Sequence, residues 1–289
     1  MKPRTCLSIG NAGLSAVYDA IDYAKSKDAE FIELRFDMIP ETAPLSSVPD
    51  RSRNNPEGDF NKDAVLPEIK KIISYAKNKG IKTIGTNRDV SYSANGCISF
   101  LDKQRLAKPS GLEIAEKSGR TDLEPERIKF LRAVIELGID ICDIELDILE
   151  RNVIKNFIEF AHSKKSRVIL SVHDFKGRIG LLDTVRLYLD SSYFGADYFK
   201  LADTVISEED AESVSEKNIK MRSIKMTDET AFPEFIIFGM GGKGRITRSS
   251  SVIYGSYLAY CSSPYGITAP GQTTPDEFYK MVDFLEASV

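Results

Sequence analysis

The chain has no tryptophan, only two histidines and only four cysteines in 289 residues. Each shortage removes a class of protein. Cys6, Cys97, Cys142 and Cys261 are widely separated with no C-x-x-C pair, and His162 and His173 are the whole supply of imidazole. Ligand number and spacing therefore argue against a zinc centre, and the four thiols read as structural. No stretch of 18 apolar residues occurs, and no basic cluster precedes an apolar segment at the N-terminus. That pattern predicts a cytoplasmic protein with no membrane partner. A net charge of -4 gives no long-range attraction for nucleic acid. The turn after the first apolar run, Ser8-Ile9-Gly10-Asn11-Ala12-Gly13, lacks the Gly-x-Gly-x-x-Gly pattern of a dinucleotide fold.

What is present is alternation. Eight short apolar runs read as strands: Thr5 to Ile9, Phe31 to Phe36, Ile81 to Thr86, Ile139 to Leu146, Arg167 to Val172, Asp197 to Leu201, Glu234 to Gly239 and Leu258 to Cys261. Between them, helix-spaced apolar sets recur. Leu14, Val17 and Ile21 form one, and Ile128, Leu131 and Ile135 another. Val153, Phe157, Ile158 and Ala161 follow, and then Phe278, Met281, Val282 and Leu285. Repeated βα units predict a parallel α/β sheet, and eight of them favour a (β/α)8 TIM barrel, here a single catalytic domain over 1–289. Two segments exceed what a barrel needs, Glu41 to Asn61 after the second strand and Asp89 to Glu124 after the third. They read as long loop insertions on the catalytic face, either surface additions or an active-site lid or oligomer contact.

The residue most out of place is Lys200, within the apolar run Ala196 to Ala202. An ammonium buried without a partner costs several kcal/mol or sheds its proton, and a neutral amine in an apolar pocket is a carbonyl nucleophile. His173 ends the preceding strand, where it can serve as general acid and base. In a barrel the polar residues at strand C-terminal ends converge on one mouth. The second strand supplies Glu33, Arg35 and Asp37 at spacing two, so all three share a face and are expected to pair inside. The third ends in Thr86-Asn87-Arg88, and the fourth carries Asp143 and Glu145, suited to orienting a histidine or lysine. After the seventh strand a glycine-rich turn, Gly239 to Gly244, leads to Arg248, a planar donor for carboxylate or phosphate. Thr268 and Gln272 bring a hydroxyl and an amide to a final turn. His162, at a helix end, receives no catalytic role. A lysine-imine aldolase acting on a sugar phosphate and a non-catalytic ring-binding protein share parts of this pattern.

Taken in order, these motifs resemble the type I 3-dehydroquinate dehydratases. The likeness rests on Glu-x-Arg-x-Asp, Thr-x-Arg, Asp-x-Glu, Ser-x-His-Asp-Phe, Lys-x-Ala, the glycine-rich turn ending in Arg248, and Ala269-Pro270-Gly271-Gln272. The resemblance implies elimination of water from 3-dehydroquinate to give 3-dehydroshikimate, a step of the shikimate pathway in aromatic amino-acid biosynthesis. It implies that Lys200 forms the Schiff base and His173 moves the protons. Glu33, Arg35 and Arg88 would hold the ring hydroxyls and imine region, Arg248 the carboxylate, and Thr268 and Gln272 would cover the substrate. Ser8 would line the pocket floor, and Asp143 would orient His173 or support the cationic network, with Asp37 in support. It implies no metal or organic cofactor, and a homodimer. The chain departs from the family pattern in three respects, the first being its two long insertions, which are unusual for the family. Arg88 leads into Asp89-Val90-Ser91-Tyr92 where an acidic-Gly-Gly run is usual, and Thr268 stands where serine is usual.

Overall fold

The computed structural model describes residues 2–42, 62–88, 125–147, 149–175 and 179–287. In chain order the elements are β1 (Thr5–Ile9), α1 (Ala16–Ser26), β2 (Phe31–Arg35), α2 (Lys62–Asn78), β3 (Lys82–Thr86), α3 (Glu126–Glu136), β4 (Ile141–Glu145) and α4 (Arg151–Ser163). They continue with β5 (Arg167–Asp174), α5 (Leu181–Phe194), β6 (Tyr198–Thr204), α6 (Glu208–Lys225), β7 (Glu234–Met240), α7 (Arg245–Ile253), β8 (Ala259–Ser262) and α8 (Pro275–Glu286). The eight strands run β8-β1-β2-β3-β4-β5-β6-β7 in one parallel sheet that curls into a nearly closed barrel. At the seam between β7 and β8 the Tyr257 N–H donates to the Phe235 carbonyl at 2.7 Å, and the Ile237 N–H donates to Ser256 Oγ at 3.2 Å. The expected (β/α)8 class is the observed one. The two expected insertions fall almost wholly on 43–61 and 89–124, outside the described residues.

Each strand is buried on both faces, so alternate residues separate two apolar regions. Outward side chains such as Leu7, Ile32, Ile144, Leu170, Phe199 and Ile237 join Val17, Ile21, Ile128, Leu131, Phe157 and Phe278 from the helices in one shell. Inward side chains Cys6, Phe31, Ile84, Ile141, Ile169, Tyr198 and Ile236 fill the barrel in a second cluster. The predicted helix faces are largely the buried ones, though Val153 and Leu285 are half-buried and Met281 of α8 is 38% exposed. Helix starts are fixed by local chemistry: Ser207 with Asp210, and Thr274 with Glu277, form capping boxes at α6 and α8, the latter with Pro275 in the first turn. The strand thiols Cys6, Cys142 and Cys261 are free and buried. His162 sits in the last turn of α4, its Nε2 2.9 Å from Asp197 Oδ2. No helix of the described residues is long and apolar enough to cross a membrane.

The shell outside the barrel carries the stability, because it holds most of the large buried side chains. Phe157 is fully buried there. Phe157→Ala is expected to cost about 3–5 kcal/mol, read as a lowered urea midpoint with an unchanged slope.

Candidate active site

Above the apolar filling, the inward positions turn polar. Register places Ser8 beside Glu33, Thr86 beside Asp143, and Ser171 beside Lys200, so neighbouring strands deliver one band of hydroxyls and charges. Lys200 is 3% exposed. Its Nζ donates to Asp143 Oδ2 at 2.8 Å, lies 3.8 Å from Glu33 Oε1, and faces the Tyr260 ring 4.2 Å from its centroid. The amine is thus buried and paired, so the cost expected of an unpaired buried ammonium is not incurred. Both carboxylates are themselves fixed. Ser8 Oγ and Thr86 Oγ1 donate to Glu33 at 2.7 and 2.9 Å, and Ser171 Oγ donates to Asp143 at 2.5 Å. Burial alone would raise the Asp143 carboxyl, but the Lys200 and Arg88 cations outweigh it and hold the pKa below the usual value. Asp143 therefore serves the cationic network, one of the two roles foreseen for it.

His173 is 8% exposed and lies against Arg88, whose Nη1 is 3.2 Å from His173 Nδ1. A guanidinium has no acceptor, so Nδ1 supplies the lone pair and the ring proton sits on Nε2. Burial, then the Arg88, Lys200 and Arg35 cations, hold the His173 pKa well below the ordinary 6.5. The ring is neutral at neutral pH. Arg88 also donates to Ser171 Oγ at 3.3 Å and to Asp143 Oδ1 at 3.4 Å, and stands 3.7 Å from Glu145 Oε1. Behind this group Arg127 of α3 closes on Glu145 at 2.6 Å and on the Asn87 carbonyl at 3.3 Å. Sequence reasoning passed over Arg127 because a helix arginine looks solvent-facing, and only the fold shows it 5% exposed.

On the opposite side of the mouth, Arg248 of α7 is 2% exposed, with its guanidinium 4.5 Å from the Phe238 ring centroid. Its Nη2 donates to the Pro270 carbonyl at 3.3 Å, while Nε and Nη1 are buried with no hydrogen-bond partner among the described residues. Burial lowers its pKa to about 10, which still leaves it charged at neutral pH. A buried cation with two unfilled donors is a seat for an anion. The Pro270-Gly271 turn lies on the glycine-rich turn, since a Cβ on Gly271 (φ +79) would meet the Gly241 carbonyl oxygen at 2.3 Å. Only glycine permits that approach. Gln272 Oε1 accepts from the Thr268 and Ala269 N–H groups at 3.0 and 3.3 Å, and its Nε2 donates to Thr268 Oγ1 at 3.1 Å.

One cavity collects these groups. It is lined by Ser8, Glu33, Arg35, Arg88, His173, Lys200, Arg248, Thr268 and Gln272, all singled out from sequence, together with Ala202, Phe238, Met240, Tyr260 and Ala269. Asp143 and Asp37 are not part of the lining. Asp37 lies past the end of β2 and grips Arg35 through two hydrogen bonds of 3.0 and 2.6 Å, so the predicted interior pairing is made at the rim. Phe238 and Tyr260 gave no sequence signal, because an inward aromatic on a barrel strand reads as core filling.

A model of the type I 3-dehydroquinase family matches residues 110–288. The 3-dehydroquinate dehydratase of Coxiella burnetii is 30% identical over 158 residues, covering 55% of this chain and 60% of that protein. The chain thus spans three fifths of the length of that relative. Among solved structures, the 3-dehydroquinate dehydratase from Geobacillus kaustophilus superposes with a TM-score of 0.72 at 20% identity, over 99% of this chain and 92% of its own. The type I 3-dehydroquinate dehydratase from Clostridium difficile gives a TM-score of 0.68 at 21% identity, over 100% of this chain and 94% of its own. Those two likenesses speak for the fold. The family match takes in the strands that bear Asp143, His173 and Lys200 as well as Arg248, Thr268 and Gln272, and it extends over more than half of the sequence: the chain belongs to the type I 3-dehydroquinase family.

Proposed function

We propose that this chain is a 3-dehydroquinate dehydratase that eliminates water from 3-dehydroquinate through a Schiff base on Lys200. The observation that carries the reading is the pairing within one cavity of a buried lysine amine and a neutral histidine with an arginine that has two donors unfilled among the described residues. The arginine calls for an anionic substrate and the lysine for a carbonyl, which together describe a carboxylated ketone.

In this reading the Lys200 ammonium first gives up its proton, with Asp143 at 2.8 Å and Glu33 at 3.8 Å as the nearest acceptors. The amine adds to the ketone, and loss of water from the carbinolamine leaves a protonated imine. That imine acidifies the adjacent C–H. His173 takes this proton, and the electron pair passes through the enamine to expel the β-hydroxyl, which leaves as water with the proton from His173. Hydrolysis of the imine releases the enone and restores Lys200. As a base His173 needs its lone pair, which in the free protein is committed to Arg88. Movement of Arg88 onto the substrate's ring hydroxyls would release it, so the same arginine binds substrate and switches the base on. Arg248 holds the carboxylate, Glu33 and Arg35 the ring, and Thr268 and Gln272 cover it. Ser8 fixes Glu33 from the floor, and Asp37 fixes Arg35 from the rim. The electron sink is the lysine imine, which makes a further cofactor unnecessary. The family resemblance carries the added expectation of a homodimer.

Borohydride added with 3-dehydroquinate should attach a reduced adduct to Lys200, seen by mass spectrometry and abolished in Lys200→Ala. Capture of a sugar phosphate in place of 3-dehydroquinate would overturn the assignment. His173→Ala should lower kcat by about 10²- to 10⁴-fold in an ultraviolet assay of the enone. Because burial and three cations lower the His173 pKa, activity should persist below pH 6.5 and fall only as the ring protonates. Arg88→Met removes one of those cations and should move the acid limb of kcat/KM upward. Arg248→Ala should raise KM for 3-dehydroquinate far more than it changes the yield of imine at saturation.

A further inference from the structure

Tyr260 has no part in the reaction described above, yet it makes the closest aromatic contact to the group that reacts. It lies on β8 in register with Cys6, is 3% exposed, and lines the cavity. Its hydroxyl oxygen is buried with no hydrogen-bond partner among the described residues. A buried phenol left unbonded is unfavourable by about 1–3 kcal/mol, so the hydroxyl does not explain why a tyrosine sits here. The contact that Tyr260 does make runs through its face, with Lys200 Nζ 4.2 Å from the ring centroid. Phe238, 5.8 Å away between ring centroids at 49°, packs against that ring and bears the Arg248 guanidinium on its own face. Two neighbouring aromatic rings thus each carry one of the cavity's cations.

We infer that Tyr260 is a catalytic residue acting through its ring, which seats the cationic nitrogen of Lys200 first as ammonium and then as protonated imine. The role rests on the Schiff-base reading. Asp143 and Glu33 can neutralise the ammonium, but carbonyl addition consumes N–H donors, and the iminium retains only one. The contact with a ring face needs no N–H at all, so it survives each change of bonding at nitrogen. A ring face already directed at the cationic nitrogen needs no reorganisation during the reaction. Burial, followed by the nearby Glu33 and Cys6 groups, pushes the phenol pKa well above its ordinary value, so the ring stays neutral through the working pH range.

The test is a graded substitution in the full-length protein. Tyr260→Phe keeps the face and should stay within about twofold of the parent in kcat and in borohydride-trapped adduct. Tyr260→Leu should lose about 2- to 30-fold in both, the range expected for a cation–π contact. Phenylalanines carrying one, two and three fluorines at position 260 should lower kcat in step with their weakening cation affinity, at constant melting temperature. A merely structural ring would not follow that series. A flat fluorine series, or Tyr260→Phe falling as far as Tyr260→Leu, would overturn the inference. In either case the trap on the parent protein still reports on the Schiff base: an adduct with no ring dependence refutes the role of Tyr260 alone, and no adduct at all refutes the reaction.

Discussion

The site is organised by the need to hold a positive charge inside a barrel. Lys200 is buried to 3% exposure at the bottom of the cavity, so each group around Nζ answers to its charge. Asp143 neutralises it, Glu33 supports it from a second direction, and the Tyr260 ring faces it from a third. Each carboxylate is then pinned by a hydroxyl from the neighbouring strand. A buried pair of this kind is a doubtful source of net stability, since desolvation offsets the attraction. What it does provide is position. The molecule contains a second buried lysine, Lys217, which pairs with Asp203 behind the barrel wall and lines no part of the cavity. The comparison separates two uses of buried charge: one pair braces a helix on the sheet, and the other presents an amine to a void.

The two arginines on either side of that amine differ in how their donors are used. Arg88 spreads its guanidinium over His173, Ser171 and Asp143, so it already has protein partners to exchange for a ligand. Arg248 has a single carbonyl partner and two buried donors unfilled. Binding an anion at Arg248 therefore relieves a penalty already present in the free protein, whereas binding at Arg88 trades one set of hydrogen bonds for another. In the proposed reaction Arg248 would thus contribute affinity and Arg88 change.

Much of this was legible before any coordinates, for a geometric reason. Strand alternation has period two, so a charge at Glu33 or Lys200 inside an apolar run must point into the barrel, and register then brings such charges together. Nine lining residues were found that way or through the family likeness. Three things were not legible. That Asp143 pairs with Lys200 rather than with His173 could not be read, because the two residues stand on strands either side of β5 and only the curved sheet brings them within 2.8 Å. Arg127 could not, because its burial depends on how α3 packs over β4. Tyr260 could not, because an inward aromatic has the same sequence signature whether it fills space or faces a cation. Asp37 was expected to share the strand face of Glu33 and Arg35, but β2 ends at Arg35 and Asp37 follows it in a turn.

The family match begins at residue 110, so Ser8, Glu33, Arg35 and Arg88 come from strands outside it. Their chemistry is nonetheless continuous with the matched part. Glu33 reaches across the barrel to Lys200, and Arg88 bonds to His173, Ser171 and Asp143, so each matched functional group on β4 to β6 has its electrostatic counterpart on β2 or just past β3. A barrel constrains its strands unequally. The outward residue of each strand has only to be apolar and fit a helix, and many sequences meet that condition. The inward residue near the mouth must match a charge or hydroxyl on another strand, and few do. The cavity therefore depends on a few inward side chains of the first hundred residues more than on the outward ones. Those side chains, and not the share of identical positions, are what join the two portions into one site.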